Sequence, residues 1–336
     1  MVSIKSISSV CGISVSTVSK ALNGRPDVSS ETQAYVRRVA KEMGYLPNSA
    51  ARTLKTNRSY SIGILFVDKT SIGLAHDYFS TVLGSLQDTA WRRGYDVTYI
   101  GKSIGPHDMS YYEHCRYRGC DGIVIASADF TDPAIIELVE GDLPLVTIDH
   151  SFDHRPSIMS DNEQGIRDLV SYIHGRGHRK IAFIHGEDTV VTQKRLAGFY
   201  GMCSELGINT PAEYVRSALY HEPTLVAQRT RELLSLPDRP TCIMYPDDYT
   251  FISGKNVIEE FGLSIPGDIS VTGYDGVFFS QIMSPKLTTL KQDITVLGQK
   301  AGECLIELIE QPKLAKPRQV VVAGRLLEGN SVKDIR

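Results

Sequence analysis

The sequence lacks the features that mark membrane proteins, exported proteins and several classes of enzyme. No run of 18 apolar residues occurs and no basic-then-apolar leader precedes Ile4, so we expect neither a membrane span nor export. The six cysteines show no C-x-x-C spacing, which is typical of reduced thiols in the cytoplasm. The glycine-rich signatures of nucleotide sites and the H-E-x-x-H zinc signature are absent. The sequence therefore predicts a cytoplasmic chain without cofactor, metal or membrane partner.

One short motif keeps an enzymatic alternative open. Residues 101–105 read G-K-S-I-G, which matches the G-x-S-x-G pattern around the nucleophile of α/β-hydrolases. That nucleophile requires a helix directly after the serine, whereas Pro106 and the residues behind it delay the next helix. We therefore predict no catalytic residue, and a hydrolase that uses Ser103 is the alternative function.

A pair of histidines raises the question of a metal site. His174 and His178 have the i, i+4 spacing of two ligands on one helix. Gly175 and Gly177 lie between them and argue against a continuous helix. We therefore interpret this stretch as a turn that enters a strand.

Charge is unevenly distributed along the chain. The 336 residues, 42% of them hydrophobic, suffice for a small head and a large two-lobed body. Residues 1–60 contain nine lysines and arginines against three acids, a net charge of +6, whereas the whole chain has −3. The remaining residues therefore carry −9. This split predicts a phosphate-binding head, with salt-sensitive binding, on a body that does not touch nucleic acid.

The amino-terminal residues carry the spacing of a helix-turn-helix. Ser8, Gly12 and Val18 fall where the motif needs a small residue, a tight-turn glycine and a buried contact between helices. Ser14 is placed to cap the second helix. In the major groove the first turn of that helix faces the base edges, which makes Val15, Ser16 and Lys20 the predicted sequence readers. The alternative is a small helical hairpin whose polar residues are only solvated.

A third and a fourth helix are predicted to follow. Ser30 and Gln33 suggest a capping box, and Gly44 a helix end. The apolar stripe between them is Val36, Val39, Ala40 and Met43. Pro47 then blocks the helix, and Asn48 is placed to cap a segment of about two turns, too short to be stable alone. We expect that segment to order only when something holds it.

Four motifs in this region resemble one family of regulators. They are 17–24 (T-V-S-K-A-L-N-G), 28–32 (V-S-S-E-T), 44–48 (G-Y-L-P-N) and 51–55 (A-R-T-L-K). Residues 4–55 thereby resemble the DNA-binding headpiece of the lactose-repressor and purine-repressor (LacI/GalR) family. The resemblance implies a hinge helix whose paired copies enter the minor groove, with Leu54 as the wedge between bases and Ala51 and Lys55 beside it. A linker residue that packs on the next domain is the alternative for Leu54.

The resemblance implies a set of DNA contacts but not an operator sequence. Ser6 stands where the family has an acid, and Lys20 stands where it commonly has arginine. The predicted DNA-binding residues are Lys5, Ser14, Val15, Ser16, Thr17, Lys20, Asn23, Ala51, Leu54 and Lys55.

Beyond residue 60, short apolar runs alternate with amphipathic stretches. The first series is 62–67, 78–93, 96–100, 109–116, 122–126, 134–140 and 145–148. The second series is 165–174, 180–185, 194–206, 225–236, 241–245, 254–262 and 269–274. This alternation predicts two lobes, each a parallel α/β sheet, with a cleft between them. Because ligands of such sheets bind beyond the carboxyl ends of strands, the residues after Val67, Ile148, His185, Tyr245 and Tyr274 are the pocket candidates.

The resemblance continues through this body to about Val332. The stretches that carry it are 160–163 (S-D-N-E), 177–184 (G-H-R-K-I-A-F-I), 195–199 (R-L-A-G-F), 273–275 (G-Y-D) and 287–290 (L-T-T-L). It implies a periplasmic-binding-protein-like body that holds a small effector. By resemblance Arg195 is the effector-clamping arginine, and Asp275 is the acid that follows the G-Y motif. Asp149 and Asp247 fall where family members place polar groups on sugar hydroxyls, and aromatic residues cover the ligand. Those aromatic residues are Tyr78, Phe79 and Tyr220.

Carboxylates, one arginine and aromatic faces together suit a polyol such as a sugar. Asp247 replaces the family's common asparagine, and the loop 68–77 is longer than usual, so a nucleobase or another non-sugar metabolite stays open. A structural ion pair between Arg195 and Asp275 across the lobes is the alternative to their ligand role.

We therefore predict a transcriptional regulator of the repressor type, controlled by a small molecule. The predicted segments are 1–47 (helix-turn-helix), 48–60 (hinge helix and linker) and 61–336 (effector binding and dimerisation). Lobe one is expected at about 61–160 and 290–318, and lobe two at about 161–289 and 319–336. We expect a homodimer on a palindromic operator and, without leucine heptads after Val332, no coiled-coil tail. A sugar-binding transport protein would share the body but would carry an export leader in place of the basic head.

Overall fold

A computed structural model describes residues 2–46, 53, 58–67, 73–313 and 317–336. The chain divides into two units, residues 1–59 and 60–336. The described helices of the first unit are α1 (Ile4–Cys11), α2 (Val15–Leu22) and α3 (Ser30–Glu42). The inward faces of these helices, together with Val28 between α2 and α3, form one apolar core of Ile7, Val18, Ala21, Val28, Val36, Val39 and Ala40. The predicted three-helix arrangement is thus present in the head.

Local side-chain contacts fix the turn of the helix-turn-helix. Ser8 Oγ donates to the carbonyl of Ile13 at 2.6 Å, and Gly12 has a φ of +67°, a conformation that favours glycine. Ser14 Oγ accepts from the Thr17 N–H at 3.0 Å, so the predicted cap of α2 is confirmed.

The predicted capping box at Ser30 and Gln33 is wrong. Ser29 is the cap of α3, since its Oγ accepts from the Thr32 N–H at 3.2 Å. Gln33 instead donates from Nε2 to the carbonyls of Arg25 and Val28, at 3.0 and 2.9 Å. Ser30 already lies inside the helix, so its side chain is not available for capping.

The second unit contains two six-stranded sheets. The first sheet has the order β13-β7-β6-β5-β1-β2 and is parallel throughout. Its strands are β1 (Ser61–Phe66), β2 (Asp96–Ile100), β5 (Gly122–Ser127), β6 (Leu145–Ile148), β7 (Ser157–Ser160) and β13 (Gln319–Val322). A separate hairpin pairs β3 (Ser103–Ile104) with β4 (His107–Asp108).

The second sheet has the order β14-β12-β11-β10-β8-β9. Its strands are β8 (Ile181–His185), β9 (Val215–Ser217), β10 (Cys242–Met244), β11 (Ser270–Asp275), β12 (Thr288–Lys291) and β14 (Arg325–Leu327). The edge strand β14 runs antiparallel to β12, so the prediction of a purely parallel sheet fails at this edge. The central strands are buried along their length, as expected where helices cover both faces.

Helices connect the strands of both lobes. They are α4 (Asp77–Arg92), α5 (Tyr111–Arg118), α6 (Pro133–Glu140), α7 (Asn162–Gly175), α8 (Val190–Glu205), α9 (Pro223–Leu234), α10 (Asp248–Glu260), α11 (Phe278–Ile282) and α12 (Ile294–Glu310). N-caps explain why two of these helices begin at other residues than the sequence pattern predicts. Ser110 and Glu113 form a capping box that starts α5 at Tyr111, and Asp247 starts α10 earlier than expected.

The chain passes between the two sheets three times, and the last two passages differ from the expected lobe limits. Thr288–Lys291 pairs with β11 and so lies in the second sheet. Gln319–Val322 pairs in parallel with β7 and so lies in the first sheet. The alternation of short apolar runs predicts where strands occur but not which sheet each strand joins. For this reason the lobe limits expected at 290 and 319 do not coincide with the limits that the strand pairing gives.

The hydrolase-like motif does not form a strand-to-helix elbow. Ser103 lies in the β3–β4 hairpin, and the next helix begins only at Tyr111.

His178 is buried, with Nδ1 2.8 Å from Thr241 Oγ1 and Nε2 3.0 Å from the Lys333 carbonyl. Within the described ranges no group of three or more metal-binding side chains occurs. Nor does any described helix have the length and apolar character to cross a membrane.

Candidate functional site

A cavity of about 640 Å³ opens where strands of both sheets end. Its walls include residues after β1, β5, β6, β8, β10 and β12 and the last residue of β11, in line with the rule that ligands bind beyond carboxyl ends of strands. All seven residues predicted to bind an effector line it, namely Tyr78, Phe79, Asp149, Arg195, Tyr220, Asp247 and Asp275. The fold thus brings together side chains that are distant in sequence.

Arg195 is held rigidly by its neighbours on the second lobe. It is buried, donates from Nε to Asn162 Oδ1 at 2.8 Å, and donates from Nη1 to the carbonyl of Pro246 at 2.8 Å. Its guanidinium carbon lies 3.5 Å from the ring centroid of Tyr274. Nη2 has no hydrogen-bond partner among the described residues. A preorganised donor is therefore left over in the cavity wall.

The alternative of a structural ion pair between Arg195 and Asp275 fails. Both residues belong to the second lobe, on α8 and at the end of β11, so they do not bridge the lobes. In the described part of the chain no ion pair joins them.

The carboxylate of Asp149 links helix α4 of the first lobe to the end of strand β7. Its Oδ2 accepts from the Tyr78 hydroxyl at 2.5 Å, and its Oδ1 accepts from the Ser160 N–H at 2.9 Å. Burial raises the pKa of Tyr78 well above its ordinary value, and Asp149 adds to the effect, so the phenol stays protonated and donates. Asp149 has a φ of +54°, uncommon for a residue with a side chain.

Two buried aspartates, Asp247 and Asp275, line the cavity. Asp247 accepts from the N–H groups of Thr250 at 2.6 Å and His221 at 3.2 Å. Asp275 accepts from Gln292 Nε2 at 2.6 Å and has a φ of +102°. Burial raises the pKa of Asp275 well above its ordinary value, although Arg195 opposes this. Asp149 and Asp275 both have a positive φ, a strained conformation for a residue with a side chain, and such strain clusters at functional sites.

Several cavity residues escaped the sequence prediction. The rings of Phe130 and His150 stack with centroids 3.9 Å apart, and burial lowers the pKa of His150. Gln292 and His221 also line the wall. Phe130 follows β5 and Gln292 follows β12, so applying the strand-end rule to every strand would have found both.

The predicted DNA contacts fall into two groups in the head. Lys5, Val15, Ser16 and Lys20 are exposed, whereas Thr17 is half-buried. Lys20 Nζ donates to Asp27 Oδ2 at 2.6 Å. The polar groups of Ser14 and Asn23 are used within the head, since Ser14 caps α2 and Asn23 Nδ2 donates to the Ser19 carbonyl at 2.6 Å. Ala51, Leu54 and Lys55 lie outside the described residues.

A helix-turn-helix unit followed by a two-lobed body with a polar cavity defines a ligand-responsive DNA-binding protein. Comparison with known families agrees for both units. Residues 3–48 match "Bacterial regulatory proteins, lacI family", and residues 170–332 match "Periplasmic binding protein-like domain".

Full-length relatives give the same result. The "Probable HTH-type transcriptional repressor ExuR" of Bacillus subtilis (strain 168) is 30% identical over 337 residues, which cover 99% of each chain. The "HTH-type transcriptional repressor PurR" of Vibrio vulnificus (strain CMCP6) is 29% identical over 341 residues, which cover all of both chains. The chain therefore belongs to the LacI family of bacterial transcriptional regulators, which confirms the resemblance drawn from its motifs.

Solved structures confirm the fold. The lac repressor dimer bound to operator and the anti-inducer ONPF matches with a TM-score of 0.79 and 26% identity, over 99% of each chain. The transcriptional regulator CelR in complex with cellobiose matches with a TM-score of 0.72 and 22% identity, over 98% of this chain and 100% of that one. The names of both full-length relatives describe transcriptional repressors.

Proposed function

We propose that this chain is a cytoplasmic repressor that binds a palindromic operator as a homodimer and changes its operator affinity when a polyol occupies the cavity. One observation carries the proposal: seven side chains from both lobes converge on one cavity in the body of a LacI-family chain. The lac repressor relative was solved as a dimer on its operator, which supports the assembly. No catalytic role is proposed for Ser103.

The chemistry of the wall favours a sugar or sugar derivative. Carboxylates of Asp149, Asp247 and Asp275 accept hydrogen bonds, which suits the hydroxyl donors of a polyol. The ring of Phe79 offers an apolar face, and Arg195 contributes the remaining fixed donor. CelR was solved with cellobiose, which supports a sugar, and a nucleobase is the second candidate. The stacked Phe130–His150 pair favours it, because a planar ring can join such a stack.

On the DNA side we propose that Val15 and Ser16 contact base edges directly. Lys20 would join them by exchanging its exposed ion pair with Asp27 for a guanine acceptor. Leu54, with Ala51 and Lys55, is proposed as the minor-groove element on family grounds.

The test uses the full-length protein and a random inverted-repeat library. A selected duplex is titrated by fluorescence anisotropy at several salt concentrations, with and without a panel of sugars and nucleosides. We expect steep salt dependence and at least one ligand that shifts operator affinity.

Arg195→Lys keeps the charge but loses the planar fork, so it should weaken that ligand about tenfold or more while sparing operator binding without ligand. Arg167→Lys is the matched control, since Arg167 lies on the same lobe and forms an ion pair with Glu205 at the exposed surface. An unchanged ligand response in Arg195→Lys, or no salt-sensitive preference for any inverted repeat, would refute the proposal.

A further inference from the structure

The cavity wall contains many more acidic than basic side chains. Among the described residues that line it, one arginine faces six carboxylates: Asp129, Asp149, Glu187, Asp188, Asp247 and Asp275. His150 lies in the wall as well, and burial lowers its pKa, so it adds no positive charge at neutral pH. A neutral polyol would bring no positive charge to these acids.

The two most buried of these carboxylates have no hydrogen-bonded cationic partner among the described residues, and Arg195 lowers the pKa of Asp275 only from beyond ion-pair distance. Asp247 is 1% exposed and Asp275 is 7% exposed, and no lysine or arginine among the described residues forms an ion pair with either. The nearest titratable base to Asp247 is His221, whose Nδ1 lies 3.8 Å away and makes no hydrogen bond. Burying unpaired charge is costly, so such groups either stay protonated or are paired by another molecule.

An independent observation points to the same place. Gln292 is 4% exposed and lines the cavity, and its Oε1 has no hydrogen-bond donor, although its Nε2 donates to Asp275. Buried acceptors without a partner are rare in folded proteins. The amide oxygen of Gln292 therefore requires a donor that the described residues do not supply.

The required donor has a definite chemistry. Gln292 Nε2 donates to Asp275 Oδ1, so the amide oxygen and the carboxylate belong to neighbouring side chains of the cavity wall. A hydroxyl brings one hydrogen, whereas an ammonium brings three together with a positive charge. We propose that the ligand is an amine-bearing polyol, such as an amino sugar, whose ammonium group binds between Asp275 and Gln292 Oε1 and is further attracted by Asp247. This inference rests on the proposed control of the protein by a polyol.

The experiment is calorimetric titration of the full-length protein at pH 6, where a sugar amine is protonated. The probes are D-glucosamine, D-galactosamine and D-mannosamine, with the parent sugars, the N-acetylated forms and the uronates of the same configurations. We expect one amino sugar to bind about tenfold or more tighter than its parent sugar, and N-acetylation to remove the advantage. Repeating the titration in two buffers of different ionisation enthalpy should show protons released only with the amine, because the ammonium favours the charged form of Asp275.

Variants separate charge from shape. Asp247→Asn keeps an acceptor for the Thr250 N–H but removes a charge, so the ratio of amino-sugar affinity to parent-sugar affinity should fall about threefold or more. Gln292→Met keeps the side-chain length and removes the acceptor, so it should also lower the preference for the amino sugar over the parent sugar. Asp153→Asn is the matched control, since Asp153 is exposed and lies outside the cavity wall.

The outcomes separate this inference from the proposed function. If a parent sugar or a uronate binds as tightly as the amine and shifts operator affinity, the inference is wrong and the proposed function stands. If no sugar of any charge binds or alters operator binding, the proposed function is wrong, and the inference that rests on it is wrong as well.

Discussion

The carboxyl group of Asp248 makes the stability of the body depend on pH in an unusual direction. Asp248 is fully buried at the first turn of α10, where Oδ1 accepts from the Thr289 hydroxyl at 2.7 Å and Oδ2 from the Val277 N–H at 3.0 Å. No cation pairs with it in the described part of the chain. Burial raises its pKa to about 7 despite these hydrogen bonds.

The sign of the effect follows from the two pKa values. The ordinary value is 3.8, so between about pH 4 and pH 7 the folded chain holds a proton that the unfolded chain has lost. Stability from this group is therefore complete below pH 4 and falls as the pH rises to 7. A shift of roughly three pKa units corresponds to about 4 kcal/mol, which is an upper limit of the loss. Asp275, whose pKa burial also raises, acts in the same direction.

Asp248→Asn removes the ionisation and keeps the shape. The amide oxygen still accepts from the Val277 N–H, and the amide group faces the Thr289 hydroxyl, which can accept in place of donating. We expect the free energy of unfolding of the variant, relative to the parent, to rise by about 2 to 3 kcal/mol between pH 5 and pH 8. Urea unfolding followed by circular dichroism measures it.

Asp153→Asn, at an exposed site, is the control and should show no such trend. A difference between Asp248→Asn and parent that stays constant from pH 5 to pH 8 would mean that the folded carboxyl is already ionised at pH 5, and the reasoning would be refuted.

Two further predictions concern packing in each unit. Gly298→Ala places a methyl group 2.1 Å from the Val82 carbonyl, so α12 must move off α4 and unfolding free energy should fall by about 2 kcal/mol or more. Gly84→Ala meets open space on α4 and should stabilise by about 0.5 to 1 kcal/mol in the same urea titration; equal effects would contradict the packing described. Val18→Ala opens the fully buried core of the head, so it should cost about 2 kcal/mol there and weaken operator binding in anisotropy while sparing ligand affinity. Val10→Ala, 58% exposed, should leave operator affinity unchanged, and a loss as large as that of Val18→Ala would contradict this account.

The head could be predicted from its sequence because local contacts determine it. Ser8, Gly12 and Ser14 act within a few residues of themselves, and the structure gives each the contact or conformation that its spacing indicates. The cap of α3 was misplaced by one residue because two serines adjoin, and propensity alone cannot choose between Ser29 and Ser30.

The path of the chain between the lobes could not be predicted because it depends on distant pairing. The strand Gln319–Val322 joins β7, which lies about 160 residues earlier, while the next strand β14 returns to the other sheet. The cavity was predictable where a carboxylate follows a buried strand, as Asp149 and Asp275 do. It was not predictable where a role depends on a partner's position, as for the free oxygen of Gln292.

The polar groups of the cavity lie at the connections between the lobes. Asp149 accepts from the Ser160 N–H, and Arg195 donates to Asn162, so both hold the first passage of the chain from β7 into α7. Gln292 follows β12 directly on the second passage, where its Nε2 donates to the Asp275 side chain and its N–H donates to the Asp275 carbonyl at 3.3 Å. A change in the angle between the lobes must rotate these connections. A ligand that bonds to these side chains therefore acts on two of the three passages at once, and so has a direct physical route from occupancy to lobe closure.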